Sequence, residues 1–338
     1  MTQKDIRLIL RQYDIGTILE IKPVSIGLIH KTFVIKTDRG QYIIQRLHPI
    51  LASSGTAKDF FNVTRLLNEK GFRSPHCVKT KKGGILANDK GKKWRLQTKL
   101  SGKTFDHLTS VVMAKEAGRI YGEFHRTIDL AQFEFQSPLV LHESKKVYKH
   151  FCDVLKKFKS SPILIDVIAE VEIIKKEFPL YFLPDNLSKH VIHGDPKISN
   201  ILFSGSKATA VIDLDTCQRQ NLLVELGDAF RSWCGKREDD PHNTFSLSLF
   251  EESWKGYKAG SKGLLNKREI NLVPKAIGLI TLELACRFLS DYFEDCYFGW
   301  NKEQYSSRRE HNLARCRGQL AEFQDFERKI EKIINTIK

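Results

Sequence analysis

The chain has 338 residues, of which 41% are hydrophobic and 10% aromatic, as is typical of a folded globular protein large enough for two cores. No apolar run approaches the ~20 residues that a membrane-spanning helix needs, and the N-terminus lacks the apolar core of a signal peptide. The seven cysteines are scattered without a C-x-x-C pair, which favours reduced thiols over disulfides or a zinc site. We therefore expect no membrane partner and a cytoplasmic location.

The charge balance is basic, because 55 lysine and arginine residues against 40 aspartate and glutamate residues give a net charge of +15. Such a balance first suggests nucleic acid as a partner. The basic residues form no single arm with interleaved aromatic residues, however, and a basic surface also attracts ATP and phosphorylated products. We expect no nucleic-acid partner, and a filter-binding assay with and without salt would test that alternative.

The first hundred residues predict a small meandering sheet with one helix before it and one helix inserted into it. In chain order we expect a helix at 3–13, strands at 17–24, 31–37 and 42–47, a helix at 57–70, and strands at 85–86 and 94–100. Gly27 lies in the first turn of this meander, where a glycine lets backbone N–H groups approach a phosphate.

The remainder of the chain is predicted to be largely helical, because its apolar residues recur at spacings of three and four. We expect helices at 105–127, 144–178, 246–257, 273–293 and 309–337.

Residues 190–216 interrupt these helices with the sequence HVIHGDPKISNILFSGSKATAVIDLDT, which predicts a strand, a loop and a short hairpin. The hairpin would bring Asn200 close to Asp213, while Asp195 stands apart from both. Oxygen ligands that hold Mg²⁺ on nucleotide phosphates, with a separate carboxylate that takes a hydroxyl proton, are what phosphoryl transfer to an alcohol requires. The alternative is a simple turn with solvated carboxylates at strand ends.

The spacing H-G-D-x-x-x-x-N, followed by I-D-x-D, resembles the catalytic and metal-binding loops of the aminoglycoside phosphotransferase and choline kinase superfamily, relatives of the protein kinases. The resemblance implies catalytic roles for Asp195 and His193. It also implies that Mg²⁺ is held by Asn200 and Asp213, with Asp215 as a possible third ligand.

The same resemblance implies an α+β, two-lobed, protein-kinase-like fold. The N-lobe, residues 1–100, would consist of an antiparallel sheet plus a helix and would bind ATP. The C-lobe, residues 101–338, would be largely helical and would carry the catalytic loop and the acceptor site.

Further site residues follow from this resemblance. A kinase-like third strand carries a phosphate-binding lysine, but this one reads Y-I-I-Q-R-L, so Gln45 or Arg46 must serve, depending on the register. Lys99 and Leu100 would form the hinge, where backbone groups bind adenine. Asp228, within E-L-G-D-A-F-R-S, would hold backbone N–H groups of the catalytic loop and so fix its position.

Two C-terminal segments indicate which branch of the superfamily the chain resembles. L-E-L-A-C-R-F-L-S-D-Y-F-E-D-C-Y-F at 282–298 and H-N-L-A-R-C-R-G-Q at 311–319 resemble bacterial N-acetylhexosamine 1-kinases. The turn containing His30 resembles G-x-I-N-x-T-[FY] of that branch, with histidine where asparagine is usual. The resemblance implies that Arg287 and Tyr297 bind the sugar substrate, although Arg287 could instead form a surface ion pair.

The sequence therefore predicts ATP- and Mg²⁺-dependent transfer of a phosphoryl group to the anomeric hydroxyl of an N-acetylhexosamine, by a monomer or weak dimer. One alternative is a kinase of the same superfamily that acts on another sugar, an amino alcohol or an aminoglycoside. A second is a non-catalytic protein that binds a nucleotide or a nucleic acid.

Overall fold

The computed structural model describes residues 3–24, 30–137 and 141–338. Within these ranges it contains an antiparallel sheet followed by a largely helical part, so the predicted α+β, two-lobed, kinase-like class is confirmed. The boundary at residue 100 stays a prediction. Gly27, predicted to approach a phosphate, lies outside the described residues.

The N-lobe is a six-stranded sheet whose strands all pair antiparallel with their neighbours. Its elements are α1 (Gln3–Leu10), β1 (Ile18–Val24), β2 (Lys31–Thr37), β3 (Gly40–Arg46), α2 (Ser54–Glu69), β4 (Cys77–Val78), β5 (Leu86–Asp89) and β6 (Lys92–Thr98). The strand order is β1-β2-β3-β6-β4, with β5 also paired to β6.

The register of β3 on β6 sorts their side chains onto two faces of the sheet. Ile44 pairs with Leu96, and both pack in a buried cluster with residues of α1. Their neighbours Gln45 and Arg95 also pair, and they point to the opposite face because side chains alternate along a strand. On that face the guanidinium of Arg95 lies 3.5 Å from the centre of the Phe60 ring of α2.

The C-lobe is built from eight α-helices and two two-stranded antiparallel sheets within the described part of the chain. Its elements are α3 (Val111–Ile128), α4 (Ser144–Lys157), α5 (Ile168–Glu177), β7 (Lys189–Ile192), β8 (Ile201–Ser204), β9 (Lys207–Val211), β10 (Gln218–Asn221), α6 (Leu222–Cys234), α7 (Leu247–Ser261), α8 (Lys267–Glu294), α9 (Arg308–Arg328) and α10 (Ile330–Ile337). The pairs are β7 with β10 and β8 with β9.

Glycines allow α3 and α7 to pack unusually closely. A methyl group at Gly118 would meet the Ser253 carbonyl oxygen at 1.9 Å, and one at Gly256 would meet the Lys115 carbonyl oxygen at the same distance. The spacing of small residues in α3 is thus a packing feature. It fixes the helix that carries His125 beneath the loop that follows β7.

Several helix boundaries differ from those predicted. The expected helix at 144–178 is divided into α4 and α5, because Pro162 has no N–H to donate and opens a 3₁₀ turn. The expected helix at 309–337 ends at Arg328 and resumes as α10. Helix α6 was not predicted at all, yet it carries the residue that holds the catalytic loop.

Two expectations about the whole chain can be compared with the structure. All seven cysteines lie in the described ranges and are free thiols, as predicted. Among the helices that the structure describes, none combines the length and the apolar character required to cross a membrane.

Candidate active site

The catalytic loop, residues 193–200, follows β7 and depends on a glycine. Gly194 has a φ of +86°, a left-handed conformation that favours glycine. A methyl group there would also lie 2.5 Å from the Thr216 carbonyl oxygen. The Thr216 hydroxyl donates to the His193 carbonyl at 2.8 Å. The central glycine of H-G-D is therefore required for two reasons, its left-handed backbone and the close approach of the Thr216 carbonyl.

Glu225 of α6 holds this loop from below. Its carboxylate accepts the backbone N–H of His193 at 2.8 Å and that of Gly194 at 2.7 Å. It also lies 2.9 Å from Nε2 of the buried His125, whose Nδ1 is 3.2 Å from the Tyr257 hydroxyl. Burial opposes the charge of Glu225, but the hydrogen bond from His125 and the nearby donors hold its pKa below the usual range.

This contact corrects the role predicted for Asp228. The loop N–H groups are held by Glu225, one helical turn earlier, and the Asp228 carboxylate accepts instead from Arg231 at 2.6 Å. Both acidic residues lie in the same motif and on the same side of α6, so the sequence alone could not separate them.

His193 was predicted to be catalytic, and its surroundings fit a structural role in the loop, so a catalytic role stays a prediction. Its side chain is buried, and Nε2 donates to the Ile212 carbonyl at 2.8 Å. Its Nδ1 accepts the backbone N–H of Asp195 at 3.2 Å. Because both ring nitrogens are bonded to backbone groups, His193 joins the catalytic loop to the strand end that precedes Asp213.

Asp195 has two polar neighbours within its own loop. The Lys197 ammonium lies 2.8 Å from Asp195 Oδ2, and the Asn200 amide donates to the Asp195 carbonyl at 2.8 Å. Burial opposes the charge of Lys197, but the Asp195 carboxylate outweighs it and raises the pKa of Lys197. The amide orientation leaves the Asn200 side-chain oxygen as a potential metal ligand. Lys197 was not singled out from the sequence, although it lies inside the motif.

The hairpin of β8 and β9 brings Asp213 beside Asn200, as predicted. The N–H of Ile212 donates to the Asn200 carbonyl at 2.9 Å, and Asp213 itself has a left-handed backbone with φ 65°. Its side chain is accessible to solvent. Desolvation by the surrounding protein, followed by the charges of Asp215 and Asp195, raises the pKa of Asp213. Such an excess of negative charge, with oxygen donors on two sides, fits a divalent cation.

Asp215 fits the predicted metal-ligand role less well than Asn200 and Asp213 do. The two carboxylate oxygens of Asp215 accept from Arg95 at 2.5 and 2.6 Å, and His30 Nε2 lies 3.5 Å away. Burial would raise the pKa of Asp215, but Arg95 holds it well below its usual range. Asn200 and Asp213 would hold the metal. The ligand atoms of Asp215, Asp213 and His30 lie within 4.8 Å of one another, so the metal role of Asp215 stays a prediction.

On the nucleotide side, the register distinguishes Gln45 from Arg46. Gln45 lies on the face of the sheet that meets Asp215, and its Oε1 accepts from Arg95 at 2.7 Å. Arg46 lies on the other face, in line with Ile44. In the predicted hinge, the Lys99 N–H already donates to the Gln41 carbonyl, so that group is not free to bind adenine.

The structure brings Arg287 and Tyr297 together, as the C-terminal motif implied. The Arg287 guanidinium lies 5.9 Å from the centre of the Tyr297 ring and 5.5 Å from that of Phe298. Asp291 accepts the backbone N–H groups of both aromatic residues at 2.8 Å, which folds this segment back onto α8. Over the described ranges, no carboxylate lies within salt-bridge distance of Arg287, which disfavours the surface ion pair.

A charged cluster that the sequence did not reveal lies next to these residues. His142 Nδ1 is 2.8 Å from Glu283 Oε1, and His142 Nε2 is 3.8 Å from Asp228. Burial lowers the pKa of His142, but Glu283 and Asp228 outweigh it and raise that pKa, while Arg287 opposes them. We call His142, Asp228, Glu283 and Arg287 the acceptor cluster. It extends toward the catalytic loop, since Asp228 also interacts electrostatically with Lys197.

Known proteins resemble this chain in both sequence and fold. A homoserine kinase from Methylobacillus flagellatus is 25% identical over 225 residues, which are 67% of each chain. An aminoglycoside phosphotransferase from Alicyclobacillus acidocaldarius has a TM-score of 0.68 at 12% identity, over 96% of each chain. The amicoumacin kinase hAmiN, in complex with AMP-PNP, Ca²⁺ and Ami, has a TM-score of 0.66 at 13% identity, over 97% of this chain and 94% of its own.

The family model of the phosphotransferase enzyme family, APH, matches residues 20–258. This match contains all of the sheet except the start of β1, the catalytic loop, Asp213 and helix α6. The chain therefore belongs to the phosphotransferase enzyme family and is a small-molecule phosphotransferase of that superfamily.

Proposed function

We propose that the protein transfers the γ-phosphoryl group of ATP, with Mg²⁺, to the anomeric hydroxyl of an N-acetylhexosamine. The observation that carries the phosphoryl-transfer part is the convergence of Asp195, Asn200 and Asp213 from one continuous segment. The seven free cysteines support the proposed cytoplasmic location.

In the proposed mechanism Asp195 accepts the proton of the sugar O1 hydroxyl. The O1–H bond breaks, O1 forms a bond to the γ-phosphorus, and the bond from that phosphorus to the bridging oxygen breaks to release ADP. Lys197 provides positive charge next to Asp195, where it would stabilise negative charge that develops during transfer. Asn200 and Asp213 would hold the divalent ion, whose charge neutralises the phosphates when it is bound.

The sugar acceptor is supported by the composition of the acceptor cluster and by the Arg287–Tyr297 contact. The cluster contains both hydrogen-bond donors and carboxylate acceptors, and such a set can hydrogen-bond hydroxyl groups and an acetamido group. Choline-like cations are usually held in aromatic cages. Tyr297, which is 69% exposed, presents a ring on which a sugar face can pack.

A second candidate is a hydroxyl-bearing amino acid such as homoserine. The relative named homoserine kinase favours it, and so does one structural observation. The acceptor cluster places the His142 imidazole and the Arg287 guanidinium beside the carboxylates of Asp228 and Glu283. A zwitterion with one carboxylate and one ammonium group would find a partner for each.

An acceptor screen followed by product analysis tests the proposal. ATP consumption would be measured with N-acetylglucosamine, N-acetylgalactosamine, homoserine, choline and an aminoglycoside. Since the C1–O1 bond never breaks, the bound anomer is the product anomer. The resemblance to N-acetylhexosamine 1-kinases implies the α anomer, so we expect one α-linked 1-phosphate by phosphorus and carbon NMR. The other anomer would point O1 away from Asp195 and lose the near-attack geometry. A 6-phosphate, a mixture of anomers, or turnover of homoserine alone would contradict the sugar 1-kinase proposal.

A further inference from the structure

Arg95 of β6 is a buried cation that links the sheet to the catalytic segment. Its side chain is 1% exposed. Both terminal nitrogens of the guanidinium bond to Asp215, and Nη2 also donates to Gln45. One face of the group stacks on the Phe60 ring at 3.5 Å. A single side chain thus connects β6, β3, α2 and the segment after β9.

This arrangement differs from the ion pair that protein kinases use. There, a lysine on the third strand pairs with a glutamate of the neighbouring helix and contacts the phosphates. Here the corresponding strand offers Gln45, the cation comes from the adjacent strand, and the helix offers the Phe60 ring. The carboxylate partner, Asp215, belongs to the C-lobe instead.

The position of Asp215 relates this pair to the metal site. We call residues 212–216 the metal loop. Asp213 stands two residues before Asp215 and has the left-handed backbone that non-glycine residues adopt only when their surroundings enforce it. Arg95 holds the far side of this turn through Asp215, and His30 approaches the same carboxylate at 3.5 Å.

We propose that Arg95 is a positioning residue that holds the metal loop through Asp215 and does not itself bind the nucleotide phosphates. A phosphate could reach the terminal nitrogens only by displacing Asp215, because both are already bonded and the side chain is buried. The proposal rests on the phosphotransferase activity of the family and not on the identity of the acceptor.

Calorimetric binding of a non-hydrolysable ATP analogue, without acceptor, separates positioning from phosphate contact. In Mg²⁺ we expect Arg95→Met and Asp215→Asn to weaken binding by about 10- to 100-fold, as loss of a residue that orients a metal ligand does. In EDTA both variants should bind like the parent. Arg95→Lys should also weaken binding in Mg²⁺, but less than Arg95→Met does. The lysine keeps the positive charge, but its ammonium cannot make the two parallel contacts with Asp215. The control is Arg317→Met, which removes a C-lobe ion pair with Glu170 and should change neither affinity.

The double variant Arg95→Met/Asp215→Asn completes the test, because it removes both buried charges and so avoids an unpaired one. If the two residues act as one unit, its Mg²⁺-dependent loss should equal that of either single variant. Equal losses in Mg²⁺ and EDTA would show direct phosphate binding by Arg95. A much larger loss in Asp215→Asn than in Arg95→Met would make Asp215 a metal ligand. Lower melting temperatures with parental affinities would leave Arg95 a purely structural role. Each of these three results would overturn the proposal.

Discussion

The catalytic loop and the acceptor cluster are held in place in different ways. In the loop, side chains bind backbone groups: Glu225 accepts two N–H groups, and His193 bridges to a carbonyl and an N–H. In the acceptor cluster, side chains bind other side chains, as His142 and Glu283 do from segments 141 residues apart. Backbone contacts fix a geometry whatever the acceptor, whereas contacts between side chains can change with a few substitutions. We therefore expect substitutions in the catalytic loop to slow turnover with every acceptor. Substitutions in the acceptor cluster should affect some acceptors more than others.

The largest effect should come from Asp195→Asn, which removes the proposed base. We expect kcat to fall by about 10²- to 10⁴-fold with every acceptor, as loss of a general base does. The melting temperature and the affinity for an ATP analogue should stay near parental values, because the asparagine side-chain oxygen can still accept a hydrogen bond from the Lys197 ammonium. Asp185→Asn is the matched control, since Asp185 pairs with Lys145 on the exposed surface. Near-parental turnover of Asp195→Asn would remove this residue from the mechanism.

The next effect should come from Glu225→Gln, which tests the backbone anchor. The carboxylate satisfies three donors, from His125, His193 and Gly194, and a glutamine would turn its own NH₂ toward one of them. We expect a loss on the order of 3 kcal/mol in the free energy of unfolding, by analogy with other broken buried charge networks. Denaturant unfolding would measure that loss, and kcat should fall with it for every acceptor.

Glu322→Gln is the control for this experiment, because burial raises the pKa of Glu322 to about 8. This carboxyl is largely protonated at pH 7, so glutamine resembles it and should cost little. A pKa raised above its ordinary 4.5 means that the folded state binds the proton more tightly. The parent should therefore lose stability as the pH rises from about 4.5 through about 8, and Glu322→Gln should abolish that part of the slope. If the dependence of stability on pH were the same in Glu322→Gln and the parent, Glu322 would not be the group with the raised pKa.

The catalytic loop was predictable because its residues are close in sequence. H-G-D-x-x-x-x-N and the hairpin spacing sufficed to place Asn200 beside Asp213. Asp195 was expected to stand apart from both, whereas the Asn200 amide donates to its carbonyl at 2.8 Å. The ion pair of Asp215 was not predicted, because its partner, Arg95, is 120 residues away and belongs to a strand that carries no motif. Glu225 was missed because acidic residues one helical turn apart share a face, and only the structure shows which one meets the loop.

The acceptor cluster could not be predicted as a unit. His142 and Glu283 belong to no short motif, and their pairing depends on how the start of α4 packs against α8. Arg287 was found only through the resemblance of the helix that carries it. The choice between Gln45 and Arg46 required the register of β3, which alternation of side chains then converts into a face.

Arg287→Ala should show the selective behaviour expected of the acceptor cluster. Loss of one charge-assisted hydrogen bond, worth about 1.5–3 kcal/mol, should raise the KM for the acceptor by about 10- to 100-fold. The KM for ATP should not change, and steady-state kinetics with both substrates varied would show the split. Arg317→Ala, on the neighbouring helix α9, controls for the loss of an arginine side chain. An equal rise in the KM for ATP would mean that Arg287 acts on the whole fold and not on the acceptor.

The smallest effect is expected for substitutions on β3, where the KM for ATP should depend on which face of the strand carries the substitution. Arg95 occupies Oε1 of Gln45, so the amide NH₂ of Gln45 is left as a donor on the face that meets the metal loop. Loss of one neutral hydrogen bond, about 0.5–1.5 kcal/mol, predicts that Gln45→Ala raises the KM for ATP by about 2- to 10-fold. Arg46→Ala should leave that KM unchanged and alter mainly the melting temperature, because Arg46 lies on the face that packs toward α1. The reverse result would show that the nucleotide approaches the other face of the sheet, and it would also remove the reason for placing ATP beside Asp213.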